Sequence, residues 1–168
     1  MLAVIPEMRR RGEGRIVNIA SIGGKIAMPH LTPYTMSKFA LVGLSKAMRA
    51  ELAKDGVVVT TICPGLMRTG SPRNATFKGR HRAEYAWFSV SDSLPLLTVS
   101  AETAARRIIS ACQRGEAEVI FPVQAKIAAV ADAIAPELVA GLLSLINRLM
   151  PAPGGVGSAR MKGSESQS

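Results

Sequence analysis

Short runs of β-branched and apolar residues alternate along this chain with longer stretches of helical periodicity. Residues 15–20 (RIVNIA) form a compact run bounded by Gly14 and by Ser21-Ile22-Gly23-Gly24, a pattern that predicts a buried strand ending in a loop. Residues 57–63 (VVVTTIC) predict a second strand closing at Pro64-Gly65, and residues 118–121 (EVIF) a third. Between the first two, Thr32-Pro33 supplies an N-cap candidate and a first-turn proline, so a helix is predicted from there to about Lys54, where Asp55-Gly56 stops it. Ser100 is placed to cap a second amphipathic helix over residues 101–114, ended by Gly115. Strand, helix, strand is a βαβ unit, whose ligands gather at the C-terminal edge of a parallel sheet. Ser21, the start of the first helix and Pro64-Gly65 should therefore meet at one edge.

Beyond the third strand the period stays helical. Ile127, Val130, Ile134, Leu138, Leu142, Leu145 and Leu149 recur at steps of three and four and describe one stripe through residues 124–149, interrupted near Pro136. A membrane span is disfavoured, because Asp132 and Glu137 fall mid-stretch and an acid there costs on the order of 3 kcal/mol. The polar face has few lysines or arginines for a bilayer surface, so the stripe is expected to pack against the domain or a partner subunit. The tail from Pro151 (PAPGGVGSARMKGSESQS) has the composition of a disordered segment. MLAVIPEMRRR at the N-terminus carries its charge after a very short apolar stretch, unlike a signal peptide.

Candidate chemistry sits in the first βαβ unit. Ser21, Tyr34 and Lys38 stand in the run S-x12-Y-x3-K. Residues four apart on a helix share a face, so Lys38 belongs one turn beyond Tyr34. A tyrosine is a poor acid near neutrality, with a reference pKa of about 10, and a neighbouring ammonium favours its ionised form. A hydroxyl, a phenol and an amine at a sheet edge could serve the reduction of a carbonyl.

On GRIVNIAS (14–21), the thirteen-residue step from Ser21 to Tyr34, YTMSK (34–38) and PGLMRT (64–69), residues 1–115 resemble the short-chain dehydrogenase/reductase family. The resemblance implies an α/β fold: part of a Rossmann-like, doubly wound parallel sheet built of the family's C-terminal βαβ units over residues 1–123. A helical extension (124–150) and the tail (151–168) would follow. It implies that Tyr34 is the general acid/base, that Ser21 hydrogen-bonds the substrate oxygen, and that Lys38 tunes the tyrosine and binds the nicotinamide ribose. Pro64, Gly65 and Thr69 match the segment that meets the carboxamide, and hydride would move to or from NAD or NADP. The substrate would be a small alcohol or carbonyl. A hydrophobic one is expected where Phe77, Tyr85, Trp87 and Phe88, which fall in the family's variable substrate lobe, line a pocket; the equal alternative is that they pack a long loop onto the body.

The family's T-G-x3-G-x-G turn, which cradles the pyrophosphate, is not in the sequence, nor is its Asn-Asn-Ala-Gly strand; Asn18 lies inside the first strand and is not the family's catalytic asparagine. An N-terminally truncated oxidoreductase is therefore expected, the alternative being a non-catalytic remnant that docks by its sheet edge or its C-terminal helix.

Composition refines this picture. Lysine and arginine number 21 against 12 acids, giving a net charge of +9 and a pI of about 10.3. The basic residues are scattered, only seven aromatics are available for stacking, and no nucleic-acid motif is present, so a solvated basic surface is expected rather than nucleic-acid binding. Arg68, Arg73 and Arg80 read as surface charge, with attraction of a nucleotide phosphate as the second reading. Cys63 and Cys112 stand apart, and His30 and His81 have no partners at ligand spacing, so no metal site is expected. Buried free thiols suit a reducing, cytoplasmic compartment, and a hydrophobic content of 48% with a mean hydropathy of +0.20 agrees with an incomplete domain; a homo-oligomer is a further expectation.

Overall fold

The computed structural model describes residues 1–68, 76–78, 98–150, 160–162 and 165. In chain order, helix α1 (Ile5–Arg11) leads into strand β1 (Gly14–Ile19), helix α2 (Thr32–Leu52) and strand β2 (Val57–Pro64). Three short strands follow, β3 (Leu66–Arg68), β4 (Thr76–Lys78) and β5 (Thr98–Ser100), then helix α3 (Ala101–Arg114) and strand β6 (Glu118–Phe121). Helices α4 (Val123–Ile134) and α5 (Pro136–Leu149) and a last strand, β7 (Arg160–Lys162), complete the order.

The main sheet is parallel, in the order β1-β2-β6. Gly14 lies opposite Val57 and Ile19 opposite Ile62, while Thr61 to Pro64 lie opposite Glu118 to Phe121. Successive side chains of a strand point to opposite faces, and both faces here are covered. Ile16, Val57 and Val59 pack with Leu52 of α2 and Ile5 of α1, and Ala20 and Cys63 pack with Val42 of α2. On the other face Ile62, Val119 and Phe121 pack with Ala104 and Ala111 of α3. This is the doubly wound α/β arrangement that the pattern of strands and helices implied. Three-residue pairings, β3 with β5 in parallel and β4 with β7 antiparallel, are additions too short for any periodicity to signal.

Helix boundaries follow local chemistry, with one correction. Ser100 caps α3 by accepting the Thr103 N–H at 3.2 Å, and Gly115 closes it at φ 65°. Thr32, predicted as the N-cap of α2, is instead its first helical residue. The Thr35 N–H bonds the Leu31 carbonyl at 2.7 Å, so the helix starts one residue earlier and Leu31 takes the cap position without a side-chain bond.

Polar side chains join the layers. Asn18 donates from Nδ2 to Ser45 Oγ at 2.8 Å, tying β1 to α2 as a structural anchor. Glu118 is gripped by Lys25 at 3.1 Å and Lys46 at 3.2 Å; burial raises its carboxyl, but the two ammonium partners outweigh that and hold it below the usual carboxylate range. Arg107 and Arg114 hold the Glu116 carboxyl down at about 2. Arg49 of α2 donates to the carbonyls of Val59 (2.7 Å), Gly115 (2.9 Å) and Glu116 (3.4 Å). The β2–β6 ladder begins only at Thr61, so Arg49 satisfies a strand carbonyl that has no rung there. Arg49→Met is expected to lower stability by about 2–3 kcal/mol, read from the urea midpoint; a loss under about 0.5 kcal/mol would mean that water replaces the bridge without cost.

The C-terminal stripe breaks near Pro136 as expected, and of its two expected packings the one against its own domain is not found. Helix α4 ends before Pro136, whose ring disfavours helical geometry at Ala135 (φ −132°, ψ 62°), and α5 leaves at 119° to it. Ala129 and Val139 are buried, whereas Ile127, Ile134, Leu138 and Leu149 are 63–78% exposed and Val130, Leu142 and Leu145 about half exposed. The stripe therefore does not pack against its own domain. Among the described residues no single helix is long and apolar enough to cross a membrane.

Candidate active site

The C-terminal edge of the sheet gathers Ser21, Tyr34, Lys38, Pro64 and Gly65. At the end of β1 the Ala20 N–H still bonds the Ile62 carbonyl at 2.7 Å, after which the chain must turn. Ser21 makes that turn. Its backbone is extended, its side chain is buried, and its Oγ accepts the Gly23 N–H at 3.1 Å, capping a short 3₁₀ turn at Ile22–Gly24. With that acceptor position filled by a backbone donor, the hydroxyl proton is left to donate elsewhere.

Helix α2 comes down directly on this turn, because Gly24 presents no side chain to it. A Cβ at Gly24 would lie 2.6 Å from the Lys38 carbonyl oxygen. The same close approach brings Tyr34 to Ser21. The point where a Gly23 Cβ would sit is 3.0 Å from Tyr34 Cε1 and 3.6 Å from Ser21 Oγ, so the hydroxyl and the ring flank one spot. Tyr34 is 42% exposed and can meet a molecule arriving from solvent. Lys38, one turn on, holds its Nζ 5.5 Å from the Tyr34 ring centroid and donates to the Ile19 carbonyl at 3.3 Å. Its cation thus hangs between the last residue of β1 and the phenol ring.

Pro64 ends β2 opposite Phe121, and the Gly65 N–H bonds the Phe121 carbonyl at 2.7 Å, which fixes both at the same edge. Cys63, just beneath, is fully buried; burial pushes its thiol up, the Glu118 charge adds to this, and the Lys25 charge and the Ser21 backbone N–H oppose it. Thr69, Arg73, Arg80, His81, Tyr85, Trp87 and Phe88 lie outside the described residues, as does the Phe77 side chain. Arg68 is engaged across β3 and β5, donating to Thr98 Oγ1 at 2.8 Å. His30 occupies the turn before α2 at φ 63°. Among the described residues no group of acidic, histidine or cysteine side chains could hold a metal ion. One contributor was not picked out from the sequence: the Gly23-Gly24 pair, whose signal was its place straight after the serine.

The sequence pattern of the family described as short chain dehydrogenase matches residues 1–78, a span that includes Ser21, Tyr34, Lys38, Pro64 and Gly65. Over residues 1–78 the chain belongs to the short-chain dehydrogenase family. Among its relatives, a "Dehydrogenase/reductase SDR family protein 7-like" of Anopheles gambiae is 38% identical over 120 residues, 71% of this chain and 36% of that protein. A "Putative ketoacyl reductase" of Streptomyces coelicolor is 52% identical over 62 residues, 37% of this chain and 24% of that protein. "Putative oxidoreductase SadH" of Mycobacterium tuberculosis is 36% identical over 74% of this chain and 45% of its own. The chain therefore spans from about a quarter to under half the length of these curated relatives. In fold it is similar to a short-chain dehydrogenase from Streptomyces avermitilis (TM-score 0.65, 24% identity, covering 88% of this chain and 56% of that one). It is also similar to one from Burkholderia cenocepacia, solved in complex with NADP (TM-score 0.62, 23% identity, 82% and 50%).

Proposed function

We propose that Ser21, Tyr34 and Lys38 form the reacting end of an NAD(P)-dependent oxidoreductase site that interconverts a small alcohol and its carbonyl. The observation that carries this reading is the close packing of the Tyr34 ring on the turn that follows Ser21, with Tyr34 Cε1 3.0 Å from the point where a Gly23 Cβ would sit and the Lys38 ammonium 5.5 Å from that ring. In the reducing direction Tyr34 passes its phenolic proton to the substrate oxygen, and in the oxidising direction it takes that proton back. Ser21 donates its free hydroxyl proton to the same oxygen and orients it. Lys38 keeps a positive charge beside the ring and, with donors beyond its bond to Ile19, can bind ribose hydroxyls. When bound, NAD or NADP would supply or accept the hydride.

The described residues fit the nicotinamide end of such a cofactor. Lys38 has donors beyond its bond to the Ile19 carbonyl, and it stands beside the exposed Tyr34 ring at the C-terminal edge of the sheet. Pro64, Gly65 and Thr69 are assigned to the carboxamide side by the family's pattern. The substrate is a hydrophobic alcohol or ketone. Residues 1–123 carry the catalytic unit, 124–150 the extension and 151–168 the tail. A cytoplasmic setting suits the free thiols of Cys63 and Cys112.

Titration of NADPH and NADH fluorescence tests the proposal independently of turnover. At least one of the two is expected to bind saturably, with Lys38→Met weakening that binding about tenfold or more, the loss of roughly 1.4 kcal/mol of charge-assisted contact. Equal affinity in the variant would take Lys38 out of the cofactor site, and absence of saturable binding by the unaltered chain would overturn the reading.

A further inference from the structure

The turn that begins at Ser21 is held from its far end by an ion pair that crosses the sheet. Lys25 closes this turn: its N–H bonds the Ile22 carbonyl at 2.8 Å, while the Gly24 N–H bonds the Ser21 carbonyl at 2.9 Å. Its side chain then turns inward. Nζ donates to both carboxylate oxygens of Glu118, at 3.1 and 3.2 Å, and the two side chains are only 20% and 23% exposed. Glu118 opens β6, which in the order β1-β2-β6 is separated by β2 from the strand that leads into Ser21. Lys25 therefore spans β2 and fastens the turn to the far strand. Lys46 of α2 reaches the same carboxylate at 3.2 Å, with 56% of its side chain exposed. Beneath them the buried Cys63 thiol of β2 faces the Ser21 backbone N–H.

We infer that Glu118 is a positioning residue for the reaction proposed above: through Lys25 it fixes the turn after Ser21, and with it the direction in which the Ser21 hydroxyl is presented. The inference rests on the role given there to Ser21. The turn can carry the constraint because hydrogen bonds stiffen it from Ser21 to Lys25. Besides the bonds made by Gly24 and Lys25, Ser21 Oγ accepts the Gly23 N–H at 3.1 Å and the Ile26 N–H bonds the Ile22 carbonyl at 3.0 Å. A displacement of Lys25 therefore reaches the contact that orients the Ser21 hydroxyl. An ion pair in open water would hold little, because solvent competes for both charges. This one is two-pronged and largely withdrawn from solvent, and without the carboxylate the Lys25 and Lys46 ammonium groups would be left with no anion between them.

Amide hydrogen exchange and steady-state kinetics on the full 168-residue chain test this together. In Glu118→Gln the Gly24 and Lys25 amides are expected to exchange about tenfold faster, while those of the β1–β2 ladder stay within about twofold. In the same variant kcat is expected to fall about tenfold with KM for the cofactor within about twofold. Lys25→Met should reproduce both effects, and the double variant should be no worse than either single one, since both break one bond. Lys46→Met, which removes the more exposed partner and leaves the turn fastened, should keep kcat within about twofold. Turn amides that exchange as before, or that speed up only in step with the ladder, would overturn the inference. So would an unchanged kcat in Glu118→Gln, or an equal loss of kcat in Lys46→Met and Lys25→Met. The exchange measurement needs no turnover: a turn that loosens alone in a chain without NAD(P)-dependent activity would refute the role given to Ser21 and uphold the hold of Glu118 on the turn.

Discussion

Tyr34→Phe is expected to lower NAD(P)-dependent turnover by about 10²- to 10⁴-fold, the range that a positioned general acid/base contributes. The fold should be unaffected. The ring is 42% exposed, and its contacts with the Gly23 turn and the Lys38 ammonium are made by carbon atoms that phenylalanine keeps. The substitution thus removes one proton-bearing oxygen and little else, and an unchanged thermal melt would confirm that the comparison is fair. Steady-state kcat for an alcohol or ketone substrate is the quantity to compare. Turnover that persists at more than about a third of the original rate would place the transferred proton on another group.

Gly24→Ala should have the largest effect on stability of any single methyl addition at the site. The added carbon would meet the Lys38 carbonyl oxygen at 2.6 Å, its carbonyl carbon at 2.9 Å and Val42 Cγ2 at 2.9 Å. Two of these atoms are helix backbone, so α2 itself would have to lift from the turn, at a cost of about 2–3 kcal/mol. Tyr34 and Lys38 ride on the lifted segment, so activity should fall together with stability. Gly43→Ala is the control. It lies on the exposed side of the same helix with nothing within 4 Å of its Cβ position, and should stabilise the chain by up to about 1 kcal/mol through helix propensity. Urea midpoints for the two variants that moved in the same direction would contradict the close approach of α2 to the turn.

Much of the fold was legible because its signals are local. The β-branched runs at 15–20 and 57–63 became β1 and β2 within a residue at each end, EVIF became β6, and Ser100 and Gly115 bound α3 as capping chemistry requires. The start of α2 was misplaced by one residue, since a threonine before a proline looks like a cap while the bond that decides it, from Thr35 to Leu31, is made by backbone. The proximity of Tyr34 and Lys38 followed from their four-residue spacing on one helix.

Tertiary structure decided what depends on contacts between distant segments. Ser21 and Tyr34 are thirteen positions apart with a turn between them, and only the missing side chains of Gly23 and Gly24 let helix and strand end approach closely enough to join them. The direction of the C-terminal stripe is the clearest case. Its period was plain in the sequence and fixed which residues share a face, because a helix repeats every 3.6 residues whatever lies beside it. Which way that face turns depends on the close fit of Ala125 against Gly65, sixty positions earlier in the chain, and no periodicity records such a contact.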